Sequence, residues 1–428
     1  MPRSLRWQKH KEFAVPFMTN EGEEEMIQIA ILGYGTVGSG VAEVFRTNQE
    51  LIDRRAGVPV RVKYVLDLRD FPGDPVEEVL THDFQDILQD PEVKVVAEVM
   101  GGLKPAYDFT KQCLESGKSV CTSNKELVAA HGPELMRIAQ EHHVNYLYEA
   151  SCGGGIPIIR ALNEALTADE IDEISGILNG TTNYILTEMT ENGADFEAVL
   201  KEAQELGYAE RNPEADIEGH DAQRKIAILS SIAFGKTVHY EDVHTEGITK
   251  ITPVDIAYAK KLKMQIRLLA SGYRSEGKYY AIVAPFLVEK KHPLYSVNGV
   301  FNAIFVKGNM LGDAMFYGSG AGKLPTASAV AADVIEAVKS EGKTLYSGWG
   351  EGKIGLSSLD TLNRRFFVRI PADRAEAAKE VFGEQIRLFD VEEAPDEKGF
   401  LTEVLTEKEF EEKASALGDV ISRLRVNM

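Results

Sequence analysis

The run Met26-Ile-Gln-Ile-Ala-Ile-Leu32, followed directly by Gly33-Tyr34-Gly35-Thr36-Val37-Gly38, constrains this chain more than any other stretch. The apolar run reads as a buried strand, and a helical pattern from about Thr36 to Arg54 opens inside the glycine motif. Alone, a G-x-G-x-x-G is weak evidence. Between a strand and a helix it marks a tight turn whose backbone can approach a pyrophosphate, with a helix amino terminus supplying N–H groups. The alternation continues with "VPVRVKYVLD" to Asp67, "VKVVAEVM" to Met100 beside Gly101, a helix "AYDFTKQCLESG", the strand "SVCTS", a helix from about Lys125 to His142, and "VNYLYEA". Strands and helices in this rhythm imply a parallel sheet covered on both faces, a Rossmann dinucleotide-binding domain over about residues 26–150.

From Ile156 the pattern becomes α+β: a helix over Ile158–Leu166, the strand-then-turn "EIDEISGILNGTTNYIL", helices near Phe196–Leu206 and Asp221–Ala233, and the strands "KYYAIVAPFLV" and "FNAIFVKG". A second Gly-rich loop and helix follow in "MFYGSGAGKLPTASAVAADVIEAV", and "GWGEGKIGLSS" reads as a linker. Residues 360–428 read βαββαβ, a small α+β module. The leading residues 1–25 are mixed and charged, without the apolar segment of a secretory signal.

A formal net charge of −20 argues against nucleic acid or an anionic membrane as partner, since both call for a basic patch. Three cysteines without close pairing favour a reducing cytoplasm, and no apolar run approaches a membrane span.

Five segments carry chemistry. Asp67 closes the second strand, where a carboxylate would bind ribose hydroxyls; Arg69 beside it could meet a 2′-phosphate, so NAD and NADP both remain open. Thr122-Ser123-Asn124-Lys125 sits at a strand's carboxyl end, either a functional lysine or a plain helix cap. In "EASCGGGIPII" consecutive glycines leave carbonyls free for a monovalent cation or let the loop approach a nicotinamide, while Cys152 as a nucleophile would need a partner base or another way to lower its pKa. "GILNGTTNYIL" places Asn179, Thr181 and their neighbours after a strand, as a polar substrate would require. Finally "GYAERNPEADIEGHDAQRKIAIL" puts Asp221 and Lys225 one helical turn apart on a half-apolar face, behind Glu210, Glu214, Asp216 and Glu218. An isolated pair of this kind is usually a solvated surface pair.

Taken together, "GYGTVGSGV", "AEVMGG", "VCTSNK", "YEASCGGGIPIIR", "GILNGTTNYIL", the acidic stretch and "MFYGSGAGKLPTASAV" resemble homoserine dehydrogenases over about Met26–Val338. The resemblance implies NAD(P)-dependent interconversion of L-homoserine and L-aspartate 4-semialdehyde in threonine, methionine and isoleucine biosynthesis. It assigns Lys225 as proton donor, Asp221 as its acid and Lys125 as a second active-site lysine. Glu210 and Asp216 become amino-acid clamps, lined by Gly207, Tyr208 and Thr181. Cofactor contacts fall on Gly33, Gly35, Thr36, Val37, Gly38, Asp67, Arg69, Gly101, Lys125 and Gly322. A sodium site falls on Glu149, Cys152, Gly154 and Ile156, mostly through backbone oxygens. Residues of about 310–345 complete the Rossmann domain, and 151–310 form a catalytic and dimerisation domain in a homodimer or homotetramer. The C-terminal module resembles an ACT domain, making threonine a possible effector, although "IPADRAEAAK" lacks the Pro-Gly turn of effector-binding examples.

The chain departs from the family at Arg211-Asn212 (usually Ala-Asp), Cys152-Gly153 (often Val-Ala), Ser123, His220 and Lys323, the last expected near cofactor phosphate. Two rivals remain. A non-catalytic Rossmann sensor would not need Lys125, Asp221 and Lys225 together, and an aspartate semialdehyde dehydrogenase would need an activated cysteine.

Overall fold

The computed structural model describes residues 26–427; the extension expected over 1–25 lies outside them. The first sheet has six parallel strands in the order β3-β2-β1-β4-β5-β6, comprising β1 (Ile27–Leu32), β2 (Val60–Leu66), β3 (Leu80–Thr81), β4 (Val93–Glu98), β5 (Ser119–Thr122) and β6 (Tyr146–Leu147). Side chains alternate across β1: Ile27, Ile29 and Ile31 enter one core, Ala30 and Leu32 the other. Both faces are buried, which is why the strand reads as a continuous apolar run.

The helical stretch after β1 breaks at Asn48 into Thr36–Thr47 and Gln49–Ala56. The helix Lys323–Lys339 packs along the first of these. A Cβ on Gly40 would come within 2.8 Å of the Lys323 carbonyl oxygen, so glycine lets the two helices touch.

The second sheet is mixed and eleven-stranded, in the order β12-β11-β7-β9-β10-β17-β13-β15-β14, with β8 alongside β10 and β16 alongside β13. Its strands are β7 (Ile171–Ile177), β8 (His244–Thr245), β9 (Met264–Ser275), β10 (Lys278–Glu289), β11 (Phe301–Gly308), β12 (Gly312–Ser319), β13 (Asn363–Pro371), β14 (Leu388–Phe389), β15 (Glu397–Leu401), β16 (Leu405–Thr406) and β17 (Ser422–Asn427). Of the range 310–345, β12 therefore belongs to the second sheet, while helix Lys323–Lys339 covers the first. Strands β9 and β12 lie outside the expected runs. The buried Arg267 interrupts the apolar signal of β9, and the glycines of "GDAMFYGSG" make β12 look like a loop.

The C-terminal βαββαβ succession is present, its four main strands ordered β17-β13-β15-β14, with helices Ala375–Phe382 and Glu407–Leu417 contributing to a core of Phe366, Phe382, Phe400 and Phe410. It is not set apart by a loose connection. Strand β17 pairs in parallel with β10, so one sheet runs through both regions. The "linker" is a packed strap: Trp349 is buried, its indole Nε1 donates to Thr237 Oγ1 at 3.0 Å, and Ile354 N donates to the Thr237 carbonyl at 2.8 Å. A Cβ on Gly350 would come 3.0 Å from the Gly235 carbonyl oxygen; that glycine serves close packing rather than flexibility.

Candidate active site

The loop after β1 is shaped by steric necessity. Gly33 has φ +95°, and a Cβ on Gly38 would overlap the Gly33 carbonyl oxygen. Helix Thr36–Thr47 starts from Gly35 with no side-chain cap and no acid in its first turn, leaving its N–H groups free for an anion. Asp67, after β2, accepts from Tyr34 N at 2.8 Å and from Arg69 Nε at 2.9 Å. The Arg69 guanidinium, aided by backbone N–H groups of Tyr34 and Arg69, outweighs burial and holds this carboxyl well below the usual range. Lys323, expected near cofactor phosphate, pairs with Glu43 of helix Thr36–Thr47 at 2.8 Å.

The loops after β4 and β5 are tied together. Glu98 is fully buried and accepts from Thr122 Oγ1 at 2.5 Å and Met100 N at 2.8 Å. Burial pushes its carboxyl up to about 7. Asn124 caps helix Lys125–Glu141 through Leu127 N at 3.1 Å, while its amide reaches the Gly102 carbonyl at 2.6 Å, bracketing the exposed Gly101. The cap reading holds, and the cap also sets the position of the lysine: Lys125 Nζ lies 3.0 Å from Asp221 Oδ1.

Asp221 is the hub. It is 5% exposed, on helix His220–Phe234, and Lys225 Nζ donates to its Oδ2 at 2.7 Å. Burial opposes its ionisation, but Lys225, Lys125 and the Asn179 amide prevail and hold it well below the usual carboxylate range. The Asp221 charge in turn raises the pKa of Lys125. Lys225 Nζ also donates to the Leu178 carbonyl at 2.8 Å. The i,i+4 pair is thus buried rather than a surface pair.

Asn179 links this hub to the acidic loop. Its Oδ1 caps helix Gly180–Asn192 at Thr182 N, and its Nδ2 donates to Asp221 at 2.9 Å and Asp216 at 2.7 Å. Burial, then the nearby Asp221 charge, raises the Asp216 pKa. Thr181 Oγ1 donates to the Tyr208 carbonyl at 2.6 Å, joining that helix to the Gly207–Tyr208 turn, where Gly207 has φ +76°. Glu210 is exposed and its carboxylate has no partner among the described residues; Glu218 accepts from Thr249 Oγ1 at 3.0 Å. Asn179 was expected only as one polar group of the turn, not as the link between Asp221 and Asp216, and Glu98 was not among the expected site residues. The position of Asn179 in "ILNGTT", just after a strand, was the available signal.

In the loop 149–156, the Glu149 carboxylate accepts from Ile159 N at 2.9 Å and Arg160 N at 2.6 Å, and Glu149 N donates to Asp333 at 2.9 Å. Gly153 and Gly154 have φ +73° and +56°. The Gly153 carbonyl accepts from Ile156 N, whereas those of Cys152 and Gly154 accept no hydrogen bond among the described residues. Cys152 is fully buried, and burial pushes its thiol up to about 12, the opposite of the activation that the cysteine-dependent rival needs.

The chain matches two family models, "Homoserine dehydrogenase, NAD binding domain" over residues 33–149 and "Homoserine dehydrogenase" over 157–335. It is 43% identical to the homoserine dehydrogenase of Bacillus subtilis over 318 residues and 48% identical to that of Synechocystis over 319, each match covering 73% of both chains. The solved homoserine dehydrogenase of Thiobacillus denitrificans superposes with TM-score 0.87 at 36% identity, covering 95% of this chain and 99% of that one. A hyperthermophilic archaeal homoserine dehydrogenase mutant in complex with NADPH superposes with TM-score 0.62 at 30% identity, covering 73% of this chain and 97% of that one. With both parts of the crevice matched and relatives this similar along nearly three quarters of its length, the chain belongs to the homoserine dehydrogenase family of NAD(P)-dependent oxidoreductases.

Proposed function

We propose that Lys225 and Asp221 handle the proton in the interconversion of L-homoserine and L-aspartate 4-semialdehyde, with Lys125 beside them. The carrying observation is a donor count. A lysine ammonium has three N–H bonds; Lys225 commits one to Asp221 and one to the Leu178 carbonyl, leaving one for a substrate oxygen. Lys125 commits one to Asp221, and its side chain is 38% exposed. A bound dinucleotide carries the hydride. In the reducing direction, negative charge grows on the aldehyde oxygen, and the Lys225 ammonium stabilises it and then protonates it. In the oxidising direction Lys225 first releases a proton to solvent by way of Lys125, and the neutral amine then takes the hydroxyl proton while Asp221 keeps the lysine oriented.

Asp216 is the substrate's ammonium clamp, with Thr181, Tyr208 and Gly207 shaping the wall around it. Glu210, exposed and unpaired, joins the clamp only when substrate is present. Gly33, Gly35, Thr36, Val37 and Gly38 hold the pyrophosphate, Asp67 and Arg69 the adenosine ribose, and Gly101, Lys125 and Gly322 the nicotinamide side. The free carbonyls of Cys152 and Gly154, with Glu149 and Ile156 beside them, suit a hard monovalent cation such as Na⁺, which would order the loop without joining the chemistry. The exposed Phe301, Met315 and Tyr317 on β11 and β12 support self-association as a homodimer or homotetramer. The C-terminal module is read as ACT-like, a candidate threonine site.

A paired assay tests the reading: homoserine with NAD⁺ or NADP⁺, with and without threonine. Turnover with either cofactor supports it; no homoserine-dependent reduction of either would refute it. Flat activity across millimolar threonine would reduce the module to a structural role.

A further inference from the structure

The C-terminal strand reaches the acidic loop through a short series of contacts, buried at Arg425 and partly exposed from Glu246 onward. Arg425, on β17, is 2% exposed. It donates to both carboxylate oxygens of Glu407, at 2.6 and 3.1 Å, and through Nη1 to Glu246 Oε1 at 2.9 Å. Glu246 follows β8; its own N–H bonds the Val283 carbonyl of β10 at 2.7 Å, and His244 lies 2.7 Å from its carboxylate. The next residue is pressed against the acidic loop: a Cβ on Gly247 would overlap the Ile217 carbonyl oxygen and come within 2.6 Å of Glu218 Cα. Ile248 N donates to that same Ile217 carbonyl at 2.8 Å, and Thr249 Oγ1 to Glu218 at 3.0 Å. Gly219, at φ +82°, donates from its N–H to the Asp216 carbonyl at 3.0 Å and faces the Thr245 side chain.

Segment 244–249 thus lies between Arg425 and the turn that carries Asp216. Its regular pairing to the sheet is only the two-residue β8. We propose that Arg425, acting through Glu246, is a positioning residue for the Asp216 carboxylate, and so for recognition of the substrate's ammonium group by a module that does not itself touch substrate. The inference rests on reading Asp216 as the ammonium clamp. Arg425 is held on two sides, so a displacement of Glu246 passes through Gly247, which has no side chain to absorb it, into Ile217 and Asp216.

The test uses the full-length enzyme and the variants Glu246→Gln and Arg425→Lys, with Asp216→Asn as control. Glu246→Gln keeps the side-chain shape and leaves Arg425 bound to Glu407, so it is the least disruptive break. The expected result is a rise of about fivefold to tenfold in KM for the amino-acid substrate, with kcat and dinucleotide KM within about twofold. Adding Glu246→Gln to Asp216→Asn should give no further rise, because both act on one contact. An unchanged amino-acid KM in both tether variants, or an equal loss in all three parameters, overturns the inference while Asp216→Asn still raises KM. If Asp216→Asn itself leaves KM unchanged, the clamp assignment fails and the positioning role falls with it.

Discussion

Asp221 and Glu98 are both buried carboxylates, yet their ionisation is shifted in opposite directions. Asp221 has two lysines within 3.0 Å and stays ionised. Glu98 meets only a threonine hydroxyl and a backbone N–H, and burial pushes it up to about 7. Asp333 sharpens the point: one cation, Arg160 at 2.9 Å, lies beside a carboxyl that burial and Glu149 together push up to about 7. Burial is common to all three, so the balance of neighbouring charges decides: two cations overcome it at Asp221, whereas at Asp333 the single cation is opposed by Glu149. The centre with two lysines is also the one with ammonium N–H groups left over for a ligand.

The comparison breaks first at Lys225. Lys225→Met should lower kcat about a thousandfold, since a positioned proton donor contributes 10²–10⁴, while dinucleotide affinity measured by fluorescence titration stays unchanged. Near-normal turnover would remove Lys225 from the chemistry. A second step converts Asp221 into something closer to Glu98. Asp221→Asn removes the charge that raises Lys125, so the basic limb of the kcat–pH profile should move to lower pH, with kcat reduced about a hundredfold. An unshifted limb would mean that Lys125 does not report in that profile.

Glu98 offers the opposite test, read in stability. Its folded pKa lies above the ordinary carboxylate value, so between about 4.5 and about 7 the folded protein keeps a proton that the unfolded chain has released. That contribution is full below this window and is lost as pH rises through it, with a slope of up to about 1.4 kcal/mol per pH unit. Glu98→Gln should match the parent in melting temperature near pH 5 and gain on it by pH 7.5. A constant difference across that range would show that Glu98 does not titrate there.

Much of this was legible in the residues. "ILGYGTVGSG" names both its strand and its turn because Gly33 and Gly38 tolerate no Cβ and the flanking strand is buried on both faces. The βαββαβ order at the C-terminus could be read from period alone. What could not be read is what lies between segments. Asp221 and Lys225 share a helical turn in any sequence, but their burial, and the arrival of Lys125 from the end of β5, are tertiary facts. Strand β9 was hidden by Arg267, a buried cation among apolar residues. The strap over 348–358 reads as a linker because close packing and flexibility both favour glycine, and only the buried Trp349 separates the two.

The smallest expected effect comes from a wetter carboxylate–cation pair. Asp67 and Arg69 sit 2.9 Å apart like the pairs at Asp221, but the Arg69 side chain is 62% exposed. Solvent screening makes such a pair weak and exchangeable, which suits a residue that leaves its partner for an incoming group. If Arg69 swings from Asp67 to a 2′-phosphate, Arg69→Ala should lower the ratio of kcat/KM for NADP over NAD by about tenfold, the value of one charge-assisted contact of about 1.4 kcal/mol. The NAD value should hold or rise slightly, because Asp67 is then free for the ribose hydroxyls. Equal losses with both cofactors would mean that Arg69 shapes the loop through Phe71, over which its guanidinium lies at 5.1 Å, and does not read the phosphate.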